Sequence, residues 1–306
     1  MTTRRKFISQ SLTGCLVTAS TGFPWTAWAN DPALSSLTIL HTNDMHSRID
    51  PFPMDGSRNE GMGGVAKRAA LITKIRQEVD QVLLVDSGDI FQGTPYFNFF
   101  GGEVEIKSMS HMGYDAATIG NHDFDGGMTG LKKQLANANF DFVCSNYDFK
   151  NTPLQGAIKD YKIIQKGNIK IGLFGLGIEL RGLVPPSLFG DTQYKDPISV
   201  AQEKATILRH DLKCDLVICL SHLGYKYSGN IISDMDVAQQ TEDIDLILGG
   251  HTHTFLRKPT IYTNKTGKEI MVSQAGWAGI ILGRIDIVFE KNRKNRCVNC
   301  KNIAIN

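Results

Sequence analysis

Gly120-Asn121-His122-Asp123-Phe124-Asp125 closes a short apolar run, residues 116–119, with an amide oxygen, an imidazole and, three residues further, a carboxylate able to orient that imidazole. Four other apolar runs end in the same kind of residue. Residues 37–40 lead into His41-Thr42-Asn43-Asp44-Met45-His46, and 82–85 into Asp86-Ser87-Gly88-Asp89. Residues 216–220 lead into Ser221-His222, and 244–248 into Gly249-Gly250-His251-Thr252-His253. The loop ends together offer Asp44, His46, Asp89, Asn121, His222, His251 and His253. So many oxygen and nitrogen donors exceed one tetrahedral zinc site and suit two divalent ions sharing a carboxylate. Two ions about 3.5 to 4 Å apart lower the pKa of a shared water and stabilise the attacking and leaving oxygens of an in-line displacement. That chemistry is phosphoryl or sulfuryl ester hydrolysis. Asp86-Ser87-Gly88 lacks the strand-serine-helix elbow and the oxyanion loop of a serine hydrolase, which excludes nucleophilic serine chemistry there.

The runs that carry these residues have strand length and apolar content, and several are rich in β-branched side chains. In open α/β sheets ligands gather at strand carboxyl ends, so five such loops can converge on one site. Val65, Ala69, Ile72, Ile75 and Val79 recur at spacings of three and four and predict an amphipathic helix between the first two loops. Helices are expected over 103–112, 128–138 and 200–212, and a further strand over 140–144. Residues 161–165 and 169–174 flank Gly167-Asn168, a hairpin signal, and 261–262 and 270–273 flank a turn at Gly267. The Pro- and Gly-rich stretch 181–197 reads as a surface loop, and Ile281, Ile285, Ile287 and Phe289 share one face of a last strand. Parallel βαβ units with antiparallel pieces interleaved later imply an α/β fold. The expected arrangement is a four-layer α-β-β-α sandwich, two mixed sheets flanked by helices, with the metal site at the strand carboxyl ends.

The 306 residues are 42% hydrophobic, enough for one large core. Thr3-Arg4-Arg5-Lys6-Phe7-Ile8, a mildly apolar stretch and Ala27-Trp28-Ala29 form a twin-arginine export signal, residues 1–29, cleaved near Ala29 into a periplasm. Leu12-Thr13-Gly14-Cys15 also reads as a lipoprotein box, ranked second because the segment before it is short and polar. Removing Arg4, Arg5 and Lys6 from the 33 basic residues leaves 30 against 31 acidic ones, so no polymeric nucleic acid partner is indicated. No run of about 18 apolar residues forms a transmembrane segment. Residues 30–290 are expected as the catalytic domain and 291–306 as a basic polar tail. Within that tail, Cys297-Val298-Asn299-Cys300 is too small a ligand set for structural zinc and leaves a local disulfide or a disordered end.

The ordered motifs resemble the calcineurin-like metallophosphoesterase superfamily. Residues 39–44, 89–93 and 120–125 are similar, more narrowly, to the N-terminal catalytic domain of bacterial periplasmic 5′-nucleotidases, over about residues 36–290. The resemblance implies one ion on Asp44, His46, Asp89 and His253 and another on Asp89, Asn121, His222 and His251, with Asp89 bridging. It also implies catalytic roles for His122, as a protonated non-ligand, and for Asp125, which holds it. Manganese, zinc, iron or cobalt would suit the donors. Arg48, Arg68 and Arg181 are candidate phosphate contacts with solvated arginine as the default. Phe97, Phe99 and Phe100 are expected to pack beneath their helix rather than to form a stacking lip. Family members continue into a second, nucleoside-holding domain, so three readings arise. The chain is an exported phosphoesterase acting on a phosphoester substrate of nucleotide type, as a 5′-nucleotidase or a 2′,3′-cyclic phosphodiesterase would. Otherwise it is half of a split 5′-nucleotidase served by a separate nucleotide-binding chain, or a metal-dependent binding protein without turnover.

Overall fold

The computed structural model describes residues 34–290 and 296–306. The expected export signal, residues 1–29, and Cys15 lie outside the described residues. Period-2 alternation in the strands sets the layers. In β1 (Leu34–Thr42) and β2 (Val82–Asp86), Leu37, Ile39, Leu83 and Val85 face one way, while Leu40, Val82 and Leu84 face the other. In β9 (Leu216–Ser221), Leu216, Ile218 and Leu220 point inward, and Val217 and Cys219 point outward. The inward sets of both sheets share one central core, and each outward set meets its own helices. This is the four-layer α-β-β-α sandwich that the sequence predicts.

The first sheet runs β14 (Arg296–Ala304), β13 (Ile281–Glu290), β1, β2, β3 (Ala116–Ala117), β4 (Asp141–Phe142). The second runs β11 (Thr260–Thr263), β12 (Glu269–Ser273), β10 (Leu246–Leu248), β9, β7 (Ile169–Leu176), β6 (Tyr161–Lys166). β1 to β4 are mutually parallel, as are β7, β9, β10 and β12, and antiparallel strands border both sets. The two parallel sets bring their carboxyl ends together: Ser87 Oγ after β2 donates to the Leu248 carbonyl at the end of β10 across 2.7 Å.

On the outer face of the first sheet pack α1 (Val65–Glu78), α2 (Pro95–Phe100), α3 (Glu103–Met112) and α4 (Gly127–Leu135). The second sheet is covered by α6 (Pro197–Thr206) and α7 (Asp234–Gln240), while α5 (Pro186–Phe189) lies in the 181–197 stretch. That stretch is therefore not wholly loop. The expected helix over 200–212 starts three residues earlier and changes to a wider turn at Ile207–Asp211. The two-residue bridge pair β5 (Tyr147–Asp148) and β8 (Gln193–Tyr194) was not foreseen.

The polar tail is a correction. Arg296–Ala304 pairs antiparallel with residues 281–289 of β13, and Val298 and Cys300 join the central core beside Ile285 and Ile287. The burial of alternate apolar side chains outweighs the polar composition there. Cys300 is a free thiol, which removes the local disulfide. No helix among the described residues is long and apolar enough to cross a membrane.

Candidate active site

All seven expected donors lie in loops that leave strand carboxyl ends, as the sequence predicts. Five of them, Asp44 (φ 50°), His46 (46°), Asp89 (56°), His251 (71°) and His253 (51°), are non-glycine residues in the left-handed region. L-residues hold that conformation when surrounding bonds impose it, and such strain gathers at functional sites. Here the imposing bonds are visible. Asp44 N donates to the Gly88 carbonyl (2.9 Å) and His46 N to the Asp89 carbonyl (3.0 Å), which ties the first loop to the second. His251 N donates to both Asp44 carboxylate oxygens at 2.9 and 3.0 Å, which ties in the fifth.

The side chains converge in two groups, Asp44, His46 and His253 in one and Asp89, His222 and His251 in the other, each with its donor atoms within 4.8 Å of one another. Asp89 Oδ2 lies 3.1 Å from His222 Nε2 and 3.9 Å from His46 Nε2, so it faces both groups. Asn121 Oδ1 sits 2.9 Å from His251 Nδ1. His122 stands at the rim, its ring 5.3 Å from that of His46, its Nδ1 2.8 Å from Asp125 Oδ2, and its backbone N–H on Asp89 Oδ1 at 2.8 Å.

The donor set fits divalent cations. His222 is fully buried and its Nδ1–H donates to the Ser87 carbonyl at 2.6 Å, so a neutral ring turns the Nε2 lone pair toward Asp89. Nε2 has no hydrogen-bond partner. A lone pair facing a carboxylate requires a cation between them, a proton or a metal. His46 Nε2 and His253 Nε2 face each other at 2.9 Å with the same requirement.

Without a metal, protons respond accordingly. Burial opposes charge on His222, yet Asp89 and then Asp44 outweigh it and raise its pKa to about 10. Burial likewise favours a neutral Asp89, but His222, His46 and His122 hold it well below the usual carboxylate range. His251 goes the other way, down to about 4, because burial and the neighbouring His222 both disfavour a second charge. At the half-exposed His122, burial is outweighed by Asp89 and the hydrogen-bonded Asp125, so its pKa rises above the ordinary value.

Supporting residues absent from the sequence-based set complete the site. The buried Asp123 carboxylate accepts from the backbone N–H of Asp89 (3.0 Å), Ile90 (2.8 Å), Phe91 (3.2 Å) and Gly120 (2.8 Å). Gln274 donates to the Gly250 carbonyl (2.6 Å) and accepts from Thr254 N (2.9 Å), bracing the loop of His251 and His253. Trp277 stacks on His253 at 5.7 Å and 6°. Gly120 is required by space: a Cβ there would lie 2.2 Å from Asp89 Oδ1. The local motif around Asp123 was legible; its partners thirty residues away were not.

The three candidate arginines separate. Arg181 is exposed, Arg48 lies over the Phe52 ring at 4.2 Å, and Arg68 is buried with Nη1 3.4 Å from Met45 Sδ rather than solvated. Phe97 packs against Phe91 as expected, but Phe99 and Phe100 are exposed, at 80% and 53%. The six-residue α2 ends at Gly101 before it can cover them.

Comparison with known proteins agrees with this geometry. Residues 37–255 match the family model of the calcineurin-like phosphoesterases. The chain is 34% identical to a snake venom 5′-nucleotidase of Gloydius brevicauda over 83% of its length and 45% of the relative's. It is 30% identical to a trifunctional nucleotide phosphoesterase of Bacillus subtilis, over 84% of this chain and 18% of that one. A 5′-nucleotidase precursor of Thermus thermophilus superposes with a TM-score of 0.79 at 29% identity, over 88% of this chain and 54% of that structure. The chain thus spans about half the length, or less, of the relatives it matches. With a family model that covers most of the chain and a site assembled from its five ordered motifs, the chain belongs to the calcineurin-like phosphoesterase family.

Proposed function

We propose that this chain is a two-metal hydrolase of phosphate esters, with nucleotides as its substrate class, that acts after export by the twin-arginine route. One observation carries the reading: two groups of N and O donors face each other across Asp89, with the His122–Asp125 pair beside them at the rim. Asp44, His46 and His253 would hold one ion, and Asn121, His222 and His251 the other, with Asp89 between. Divalent ions bound there supply a water of lowered pKa and positive charge for the phosphoryl oxygens.

The chain's own residues do the rest. His222 donates its Nδ1 proton to Ser87, which fixes the tautomer and keeps Nε2 as a donor atom. Asp89 Oδ1 is held by the His122 N–H, so the carboxylate cannot rotate away. His122 gives its Nδ1 proton to the hydrogen bond with Asp125, which leaves the Nε2 proton at the rim for the phosphoryl or leaving-group oxygen. The substrate class rests on the names of the relatives, a 5′-nucleotidase and a nucleotide phosphoesterase. Residues 1–29 carry the export reading, and retention of the Arg4→Lys/Arg5→Lys variant in the cytoplasm is its test.

The test of the activity is hydrolysis by purified residues 30–306, with manganese added, of a nucleoside 5′-monophosphate and of a simple aryl phosphodiester, with Asp89→Asn as blank. Turnover of the nucleotide at micromolar concentration is the expected result. Cleavage of the diester alone would overturn 5′-nucleotidase action by this chain by itself and direct the search to 2′,3′-cyclic nucleotides or a separate nucleotide-binding chain, and no cleavage of either would overturn the hydrolase.

A further inference from the structure

Six buried side-chain atoms among the described residues lack a hydrogen-bond partner, and three of them, Arg48 Nε, Arg68 Nε and Glu105 Oε2, belong to residues that line one cavity. The cavity lies directly beneath the turn that carries Asp44 and His46, and Met45 and Ser47 of that turn also line it. Its volume of about 10 Å³ is close to what a single internal water occupies. Arg68 and Glu105 are 2% and 3% exposed. Left dry, the cavity would keep a guanidinium and a carboxylate in a low-dielectric interior, each short of a partner.

The sign of the lining selects the occupant. Glu105 repels an anion, and Arg48 and Arg68 repel a cation. Water can accept two hydrogen bonds and donate one, the complement of two N–H groups and one carboxylate oxygen. We infer that one internal water joins Arg48 Nε, Arg68 Nε and Glu105 Oε2, and that Glu105 is thereby a positioning residue for the Asp44–His46 metal-ligand turn.

Glu105 has a second hold on that turn. Its Oε1 accepts from Ser47 Oγ, which also accepts from Phe97 N at 3.2 Å and lies 2.8 Å from Thr94 Oγ1. Ser47 (φ 56°) follows His46 in the same left-handed conformation as His46 and Asp44. From the outer helix layer, Glu105 on α3 therefore fixes the backbone that aims two of the donors. Neither Glu105 nor the water touches the reacting atoms. Side chains that orient metal ligands from behind typically change metal affinity by about 10- to 100-fold when removed.

The inference about Glu105 rests on the two-ion reading; the water does not. In chelator-stripped chain titrated with manganese, wild type should take up two ions per chain. Glu105→Leu should lose about 10- to 100-fold in affinity at one of them and keep the other, with Glu105→Gln closer to wild type. Equal weakening of both sites, or of neither, would overturn the positioning role. A wild-type chain that binds fewer than two ions would overturn the two-ion reading and the positioning role with it. If Glu105→Leu does not fold, Arg68→Met/Glu105→Leu removes both buried charges while still taking the Glu105 acceptor from Ser47, and the same titration applies. A crystal structure of the wild type at a resolution that shows ordered water decides the occupant. A water within ~3 Å of the three atoms is expected, and an empty cavity or a direct Arg68–Glu105 pair overturns it.

Discussion

Asp123 belongs to neither donor group, yet its side chain ties two of the site loops together. Its carboxylate holds three consecutive amides of the Asp89 loop and the amide of Gly120, so one side chain sets the spacing between the second and third motifs. Asp123→Asn turns a donor-only NH₂ toward some of those amides and leaves buried N–H groups unpaired, at a cost of about 1–3 kcal/mol for each. Urea unfolding should show that loss, and metal titration a weaker affinity; a variant with unchanged midpoint and metal content would contradict the role. His122→Ala tests the opposite kind of residue. The imidazole is half-exposed and outside both donor groups, so metal content should be retained while the catalytic rate falls about 10²- to 10⁴-fold. Loss of metal in that variant would make His122 a ligand. The donors themselves were legible because each stands in a short polar tip after an apolar run. Asp123, Gln274 and Trp277 were not, because their roles are defined by partners far away in the chain, which spacing does not encode.

At the level of elements, the apolar runs at 37–40, 82–85 and 216–220 and the three- and four-residue spacing from Val65 to Val79 were enough to read the first βαβ units. They are long and unambiguous. β3 shows the limit: residues 116–119 are all apolar or β-branched, but only Ala116–Ala117 pairs in the sheet before the chain turns into the site. The strand after β13, β14, was missed for a different reason. Reading Cys297-Val298-Asn299-Cys300 as a local disulfide or a disordered end hid the inward alternation of Val298 and Cys300, which places Val298 opposite Ile287 and Cys300 opposite Ile285. Asn299 between them and Lys301 after them then look like tail rather than the solvent side of an edge strand. A chain ending at Glu290 would leave one flank of β13 unpaired and remove the buried Val298 and Ile305. Each such side chain contributes about 1.5–3 kcal/mol on burial, so the shortened chain should unfold at distinctly lower urea concentration. Unfolding at the wild-type midpoint would show that β14 adds nothing to the sheet.

For the molecule as a whole, two sheets packed face to face, with the carboxyl ends of their parallel strands together, concentrate buried carboxylates and imidazoles in one place, and folding must neutralise them. A proton or a metal can do so, and His222 Nε2 is where they compete. In stripped protein the folded His222 has its pKa raised to about 10, against 6.5 for the ordinary side chain. A group whose pKa is raised on folding stabilises the native state fully below its unfolded value and loses that contribution as pH climbs toward the folded one. The melting temperature of the stripped chain should therefore decline between pH 6.5 and about 10 through this group. Loaded protein should not share the decline, since bound metal has already displaced the proton, and ligand at about a hundred times its dissociation constant adds about 2.7 kcal/mol per site. The gap between loaded and stripped melting temperatures should widen as pH rises across that window. His222→Asn, which cannot be protonated there, should flatten the stripped curve. A stripped wild-type curve that is already flat, or one unchanged by His222→Asn, would place the competition between proton and metal at some other side chain.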